Sequence, residues 1–163
     1  MKIIGSLRTL DATRGAVRVE DVFDTSVEDL WDACTRPDRL ARWIADVSGD
    51  LRVGGEFRAR FTSGWEGTGR IEVCEAPRRL VVVTREPGDT EDDVLEVTLT
   101  PQGDRTLLVV EERGLPADQL AGYGAGWQVH LEDLAAVLAN RDRCDLPARW
   151  QELVPAYRGL VPA

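Results

Sequence analysis

Residues 122–140 read GYGAGWQVHLEDLAAVLAN, and the reading of this stretch decides how the other segments can pack. Tyr123, Trp127, Leu131, Leu134 and Leu138 recur at helical spacing and make one apolar stripe. Gln128, Glu132, Asp133 and Asn140 fall on the other side. With Ala117–Leu120 in front, the pattern predicts a helix of about 20 residues, or about 30 Å at the α-helical rise. Such a rod crosses a small sheet from edge to edge. Most of the remaining segments read as strands. The expected architecture is therefore α+β: a curved antiparallel sheet wrapped around one long C-terminal helix, with an apolar space between them.

Upstream, Ile3–Leu10 and Ala16–Phe23 read as the arms of a hairpin joined by Asp11–Gly15. The first arm is an edge strand or a lead-in. Thr25-Ser26 opens a helix, with Glu28 or Asp29 completing a capping box and Val27, Leu30, Trp31 and Cys34 on its buried side. Thr35-Arg36-Pro37 stops that helix and starts another, with Thr35 as its cap and Leu40, Trp43 and Ile44 as its apolar residues. Asp50–Gly55 is a turn.

Strands follow at regular intervals. Phe57, Ala59 and Phe61 alternate with arginines and Thr62, and Gly69, Ile71 and Val73 share one side of the next strand. Leu80–Arg85, Val94–Thr100 and Thr106–Arg113 complete the run, with Pro101–Asp104 as a hairpin loop. Connections this short require antiparallel pairing. Asp145-Leu146-Pro147 begins a last short helix, on which Trp150, Leu153, Val154 and Tyr157 share a face. That face needs a partner, either in the same chain or in a second copy, so a homodimer through this tail is one expectation. The domain plan is one unit over 1–144, with 1–15 as an arm or extra strand, and a tail over 145–163.

The totals narrow the function classes. The chain has 163 residues, 43% of them hydrophobic and 30% charged, which suits one folded domain. A net charge of -9 lacks the basic footprint of a nucleic-acid or anionic-membrane binder. No apolar run reaches the length of a membrane span, and no signal peptide is recognised. Cys34, Cys74 and Cys144 are odd in number and far apart, which points to reduced thiols and a cytoplasmic setting.

The order strand, two helices, antiparallel strands and long helix resembles the helix-grip fold. Val27–Trp31 with Thr35-Arg36-Pro37-Asp38 and Leu40–Trp43 resembles the opening signature of the START-like (SRPBCC) superfamily. The similarity is greatest to the branch named for the activator of heat-shock-protein-ninety ATPase. Val53-Gly54-Gly55-Glu56-Phe57, Glu75–Leu80 and Gly126-Trp127-x-x-x-Leu131-x-x-Leu134 resemble that branch at its second strand, third turn and final helix. The resemblance covers roughly 16–140. It departs at Ile44 and at Thr84-Arg85, where relatives often carry an aromatic. It implies a groove that in various members holds lipids, hormones or polyketides, in some catalyses cyclisation or hydrolysis, and in the eponymous branch accompanies chaperone binding. The fold alone does not choose among these.

The residues themselves suggest a groove. Trp43, Phe57, Phe61, Trp65, Tyr123 and Trp127 are more aromatic bulk than a narrow helix-on-sheet contact requires. Ile71, Leu95, Val97, Leu108 and Val110 supply the inward strand positions. Alternation carries Glu112 to the same face as Leu108 and Val110. A carboxylate there would act as an acid or base, unless it lies at the strand end in water or pairs with Arg58 or Arg113. His130, on the flank of the stripe, is either a pocket base or a hydrogen-bonded edge histidine, and the scarcity of catalytic groups nearby favours the second. One histidine and scattered cysteines make no conventional zinc site. Gly122–Gly126 lacks the preceding parallel strand of a dinucleotide fingerprint, so no cofactor is expected; its small residues let the helix start close to the sheet or a ligand. The expected function is non-catalytic binding of a small hydrophobic molecule (lipid, aromatic or polyketide-like). The alternatives are a cyclase- or hydrolase-type enzyme using Glu112 with His130, and a chaperone-interaction module, the least favoured.

Overall fold

The computed structural model describes residues 2–163. A hairpin of β1 (Gly5–Thr9) and β2 (Arg14–Phe23) leads into α1 (Val27–Thr35) and α2 (Pro37–Trp43). Six strands follow: β3 (Ala45–Gly49), β4 (Glu56–Phe61), β5 (Glu66–Glu75), β6 (Arg79–Arg85), β7 (Asp93–Gln102) and β8 (Arg105–Pro116). A short 3-10 turn, Ala117–Gln119, enters α3 (Leu120–Leu138), and α4 (Leu146–Arg158) closes the chain. All eight strands form one antiparallel sheet in the order β1-β2-β8-β7-β6-β5-β4-β3. This is the α+β helix-grip architecture expected from the element order, with α3 lying across the concave side.

The two faces of the sheet differ as strand alternation demands. Val17, Val19, Val97, Leu99, Leu108 and Val110 turn inward and are buried with Leu131 and Leu134 of α3. The outer face carries a ladder of ion pairs, Arg8–Glu111–Arg113–Glu96–Arg79–Glu75, with residues from five strands, that passes over β2. α1 begins at Ser26, whose Oγ accepts from the Asp29 N–H at 3.2 Å. Thr25 reaches the Asp29 carboxylate with its hydroxyl, so both residues of the expected cap are used. Trp43 is locked by donating its indole N–H to the Ala33 carbonyl at 2.9 Å.

Several local expectations are corrected. Arg36 occupies the cap of α2 without a side-chain capping bond; Thr35 instead gives its hydroxyl back to the Trp31 carbonyl at 2.7 Å. β3 pairs with β4 in a segment, ADVSG, whose short and half-polar pattern carries no strand signal. A bulge between Ile71 and Val73 turns β5 over, so Val73 pairs with Val81 on the outside and Cys74 sits opposite Leu80 on the inside. The β7–β8 connection is tighter than Pro101–Asp104, because β7 runs on to Gln102.

The largest departure concerns α3. Gln128 and Asp133, placed by periodicity on a polar side, are both buried. α4 covers that side. Tyr157 donates its hydroxyl to Gln128 Oε1 at 2.7 Å, Gln128 Nε2 donates to the Lys2 carbonyl, and Asp133 accepts from the Cys144 N–H. Glu132 is held by Arg149 through two bonds of 2.8 and 3.0 Å. The apolar face of α4, with Leu153, Val154 and Tyr157 buried, is thereby used within the chain. Tyr157 fits because two glycines face its ring: a methyl on Gly124 of α3 would lie 2.6 Å from it, and one on Gly5 of β1 2.5 Å from its oxygen.

Candidate functional site

The space between sheet and α3 is hollow. An inner chamber of about 150 Å³ lies among Trp43, Phe57, Ile71, Val97, Leu108 and Val110, floored by Cys34 and Cys74. An outer chamber of about 690 Å³ opens toward the start of α3, lined by Glu112, Tyr123, His130 and, from α4, Trp150 and Val154. Phe61, Trp65, Thr84, Leu95 and Trp127 line both chambers and mark where they meet. All the residues singled out from the sequence as groove candidates thus border one chamber or the other. Thr84 and α4 were not among them. Ile44 lines the inner chamber, and Thr84, of the Thr84-Arg85 pair, lines both.

Each polar group in this wall has a local cause. Strand alternation brings Glu112 inward beyond Val110, and only 8% of it is exposed. It pairs with neither Arg58 nor Arg113; Trp127, about two helix turns into α3, donates its indole N–H to Oε1 at 2.8 Å. Burial pushes the carboxyl up to about 7, the Trp127 bond opposes that, and Asp93 and Glu86 add to it. Asp93 is itself raised to about 6 by burial and by Asp89. Burial also raises the Tyr123 phenol, with Glu86 and Glu112 contributing. The sheet end under the α3 N-terminus is therefore acidic.

His130 sits one turn beyond Trp127 and is 3% exposed. Its ring meets Trp127 edge-on at 5.6 Å and Phe61 at 5.7 Å. Nδ1 has no hydrogen-bond partner, which overturns the expectation of a hydrogen-bonded edge histidine. Burial drives its pKa down to about 4, so the ring is neutral at physiological pH. A buried polar atom without a partner costs about 1–3 kcal/mol. Cys34 is inert by contrast, its thiol pushed up to about 12 by burial. Among the described residues no group of three or more side chains is arranged to hold a metal ion, and no helix is long and apolar enough to cross a membrane.

The glycines that open α3 serve α4 and the cavity. Trp150 donates its indole N–H to the Gly122 carbonyl at 2.9 Å and passes close to Gly126, and both glycines line the outer chamber. The element that approaches these glycines is α4, where the sequence pointed to the sheet or a ligand.

The family model described as "Activator of Hsp90 ATPase homolog 1-like protein" matches residues 24–139. The chain belongs to this family. The match spans α1 through α3 and leaves β1, β2 and α4 outside it. Among solved structures, CalU16 from Micromonospora echinospora is 30% identical with a TM-score of 0.77, over 96% of this chain and 94% of that one. That span reaches into the flanking segments. DynU16, a protein in the dynemicin biosynthetic locus, is 27% identical with a TM-score of 0.71, over 76% of this chain and 47% of its own. An HSP90 activator from Plasmodium falciparum, 21% identical over 76% of this chain and 96% of its own, with a TM-score of 0.64, shares the fold. No curated protein was found to match.

Proposed function

We propose that this protein binds a small hydrophobic molecule, without transforming it, in the two-chambered hollow between sheet and α3. The observation behind this is the inner chamber: about 150 Å³ of apolar space in the middle of the fold, continuous in its lining with a larger outer chamber. An apolar cavity of about that size stays dry and takes up a benzene-sized guest. Interiors normally close on themselves at crystal-like density, so a hollow of this extent calls for an occupant. The likeness to DynU16, from a biosynthetic locus, supports a metabolite as the guest.

Native mass spectrometry of freshly purified protein is expected to show an added small mass, and an apolar fluorophore is expected to bind and to be displaced by extracted metabolites. Thr84→Phe puts a ring where the two chambers meet, and Phe61→Arg puts a cation there. Each is expected to abolish fluorophore binding while circular dichroism stays unchanged. Undiminished binding in both folded variants would remove the proposal.

Glu112 gives a second reading, because a carboxyl titrating at about 7 inside a pocket has the ionisation of a general acid or base. A substrate screen on ester and polyketide-like compounds tests it: activity that disappears in Glu112→Gln would favour an enzyme.

A further inference from the structure

The wall of the outer chamber holds two polar groups that the protein leaves incompletely paired. His130 Nδ1 is buried without a partner, in a ring that borders the chamber. Glu112 borders the same chamber; Trp127 donates to its Oε1, and no described residue donates to Oε2. Trp127 stands between the two, bonded to one and packed on the other. Buried polar groups are nearly always paired, so an orphan nitrogen in a ring that borders a cavity is a place where a guest can supply the missing partner.

The surroundings specify that partner. Asp93, opposite Thr84 in the β6–β7 register, lies on the same sheet face as Glu112. Asp118 borders the mouth, and Arg158, on the α4 rim, is the one basic side chain among the lining residues. Ligand carboxylates, sulfates and phosphates would enter against this field. A hydroxyl would not. It donates to the open Glu112 oxygen, and it serves either tautomer of a neutral imidazole by donating to a bare nitrogen or accepting from an N–H. An ammonium group only donates, so it serves Glu112 but only the one imidazole tautomer that turns a bare nitrogen toward it.

We infer that the guest is an aromatic or polycyclic molecule bearing a hydroxyl group and no negative charge. Its hydroxyl meets Glu112 or His130 in the outer chamber, and its apolar body extends from there past Phe61, Trp65 and Thr84 toward the inner chamber. This rests on the binding proposal above and names the ligand class for that site.

Four probes of one size test it on the full-length protein by calorimetry or probe fluorescence: naphthalene, 2-naphthol, 2-naphthoate and 2-naphthylmethylammonium. Naphthalene is the most apolar and would bind best in a merely greasy hollow. The expected result is 2-naphthol bound about tenfold more tightly than naphthalene, the difference that one satisfied hydrogen bond makes, with 2-naphthoate weakest. Glu112→Gln keeps an oxygen for Trp127 but replaces the open acceptor with a donor. It is expected to bring the naphthol-to-naphthalene ratio to about one and to admit 2-naphthoate. His130→Phe keeps the aromatic packing and is expected to lower the same ratio. Naphthol binding no better than naphthalene, or naphthoate or the ammonium probe binding best, overturns this inference and leaves the binding proposal standing. Binding by none of the four overturns both.

Discussion

Glu112 and His130 pull the protein's pH response in opposite directions. Glu112 is raised from 4.5 to about 7, so between those values the folded state holds a proton that the unfolded chain has released. Its contribution is present below pH 4.5 and is lost as pH climbs to 7, on the order of 3 kcal/mol. His130 is lowered from 6.5 to about 4, so the unfolded chain takes the extra proton, and stability is lost as pH falls through that window. Relative to wild type, Glu112→Gln is expected to gain stability as pH rises from 4.5 to 7, and His130→Phe to gain it as pH falls from 6.5 to 4. Urea titrations at three pH values check the two slopes; parallel curves for wild type and variants would contradict them. The inward position of Glu112 was legible from alternation with Leu108 and Val110, because a strand has only two sides. The isolation of His130 was not. It depends on Phe61 and Trp127 closing around the ring, which no local pattern encodes.

The fit of α4 against α3 turns on single methyl groups. Gly124→Ala gains about 1 kcal/mol of helix propensity, but its methyl meets the Tyr157 ring at 2.6 Å in a slot with no slack. Overpacking of this kind costs about 1–3 kcal/mol, so a net loss of about 1 kcal/mol is expected in urea midpoints. At Gly126 the nearest atom to an added methyl is 4.0 Å away, on Trp150. Gly126→Ala is expected to stabilise by up to about 1 kcal/mol. Equal effects at the two sites would contradict the packing described. The long helix was legible from its apolar stripe, and the hairpins from their spacing and turn residues. α3 misled on its far side because amphipathicity reports polarity, and a polar side can be buried under a further helix whose residues complete its hydrogen bonds. Gln128 and Asp133 are both satisfied that way. β3 escaped notice because five residues with two small apolar side chains resemble a loop until β4 pairs with them.

For the molecule as a whole, an intrachain partner for α4 removes the sequence-level reason to expect a dimer. Leu10, Val53 and Val161, the large apolar residues left exposed among the described residues, lie on separate segments. The β1 edge of the sheet is partly closed by backbone bonds between Thr9, Leu7 and Ala163. Light scattering at tens of micromolar is expected to return the mass of a single chain, and a concentration-dependent dimer would contradict this. Fold class was readable because element order and loop length leave few antiparallel arrangements. Cavity size was not, since it depends on how sharply the sheet bends over α3. The doubled residue at Glu72 bears on that bend, for β5 has one more backbone unit there than its neighbour. Losing that unit would straighten the strand and lower the ceiling over any guest, with every side chain in the wall unchanged. Relatives could therefore come to hold larger or smaller molecules by insertion or deletion at such kinks, and a comparison of lining residues alone would miss the difference.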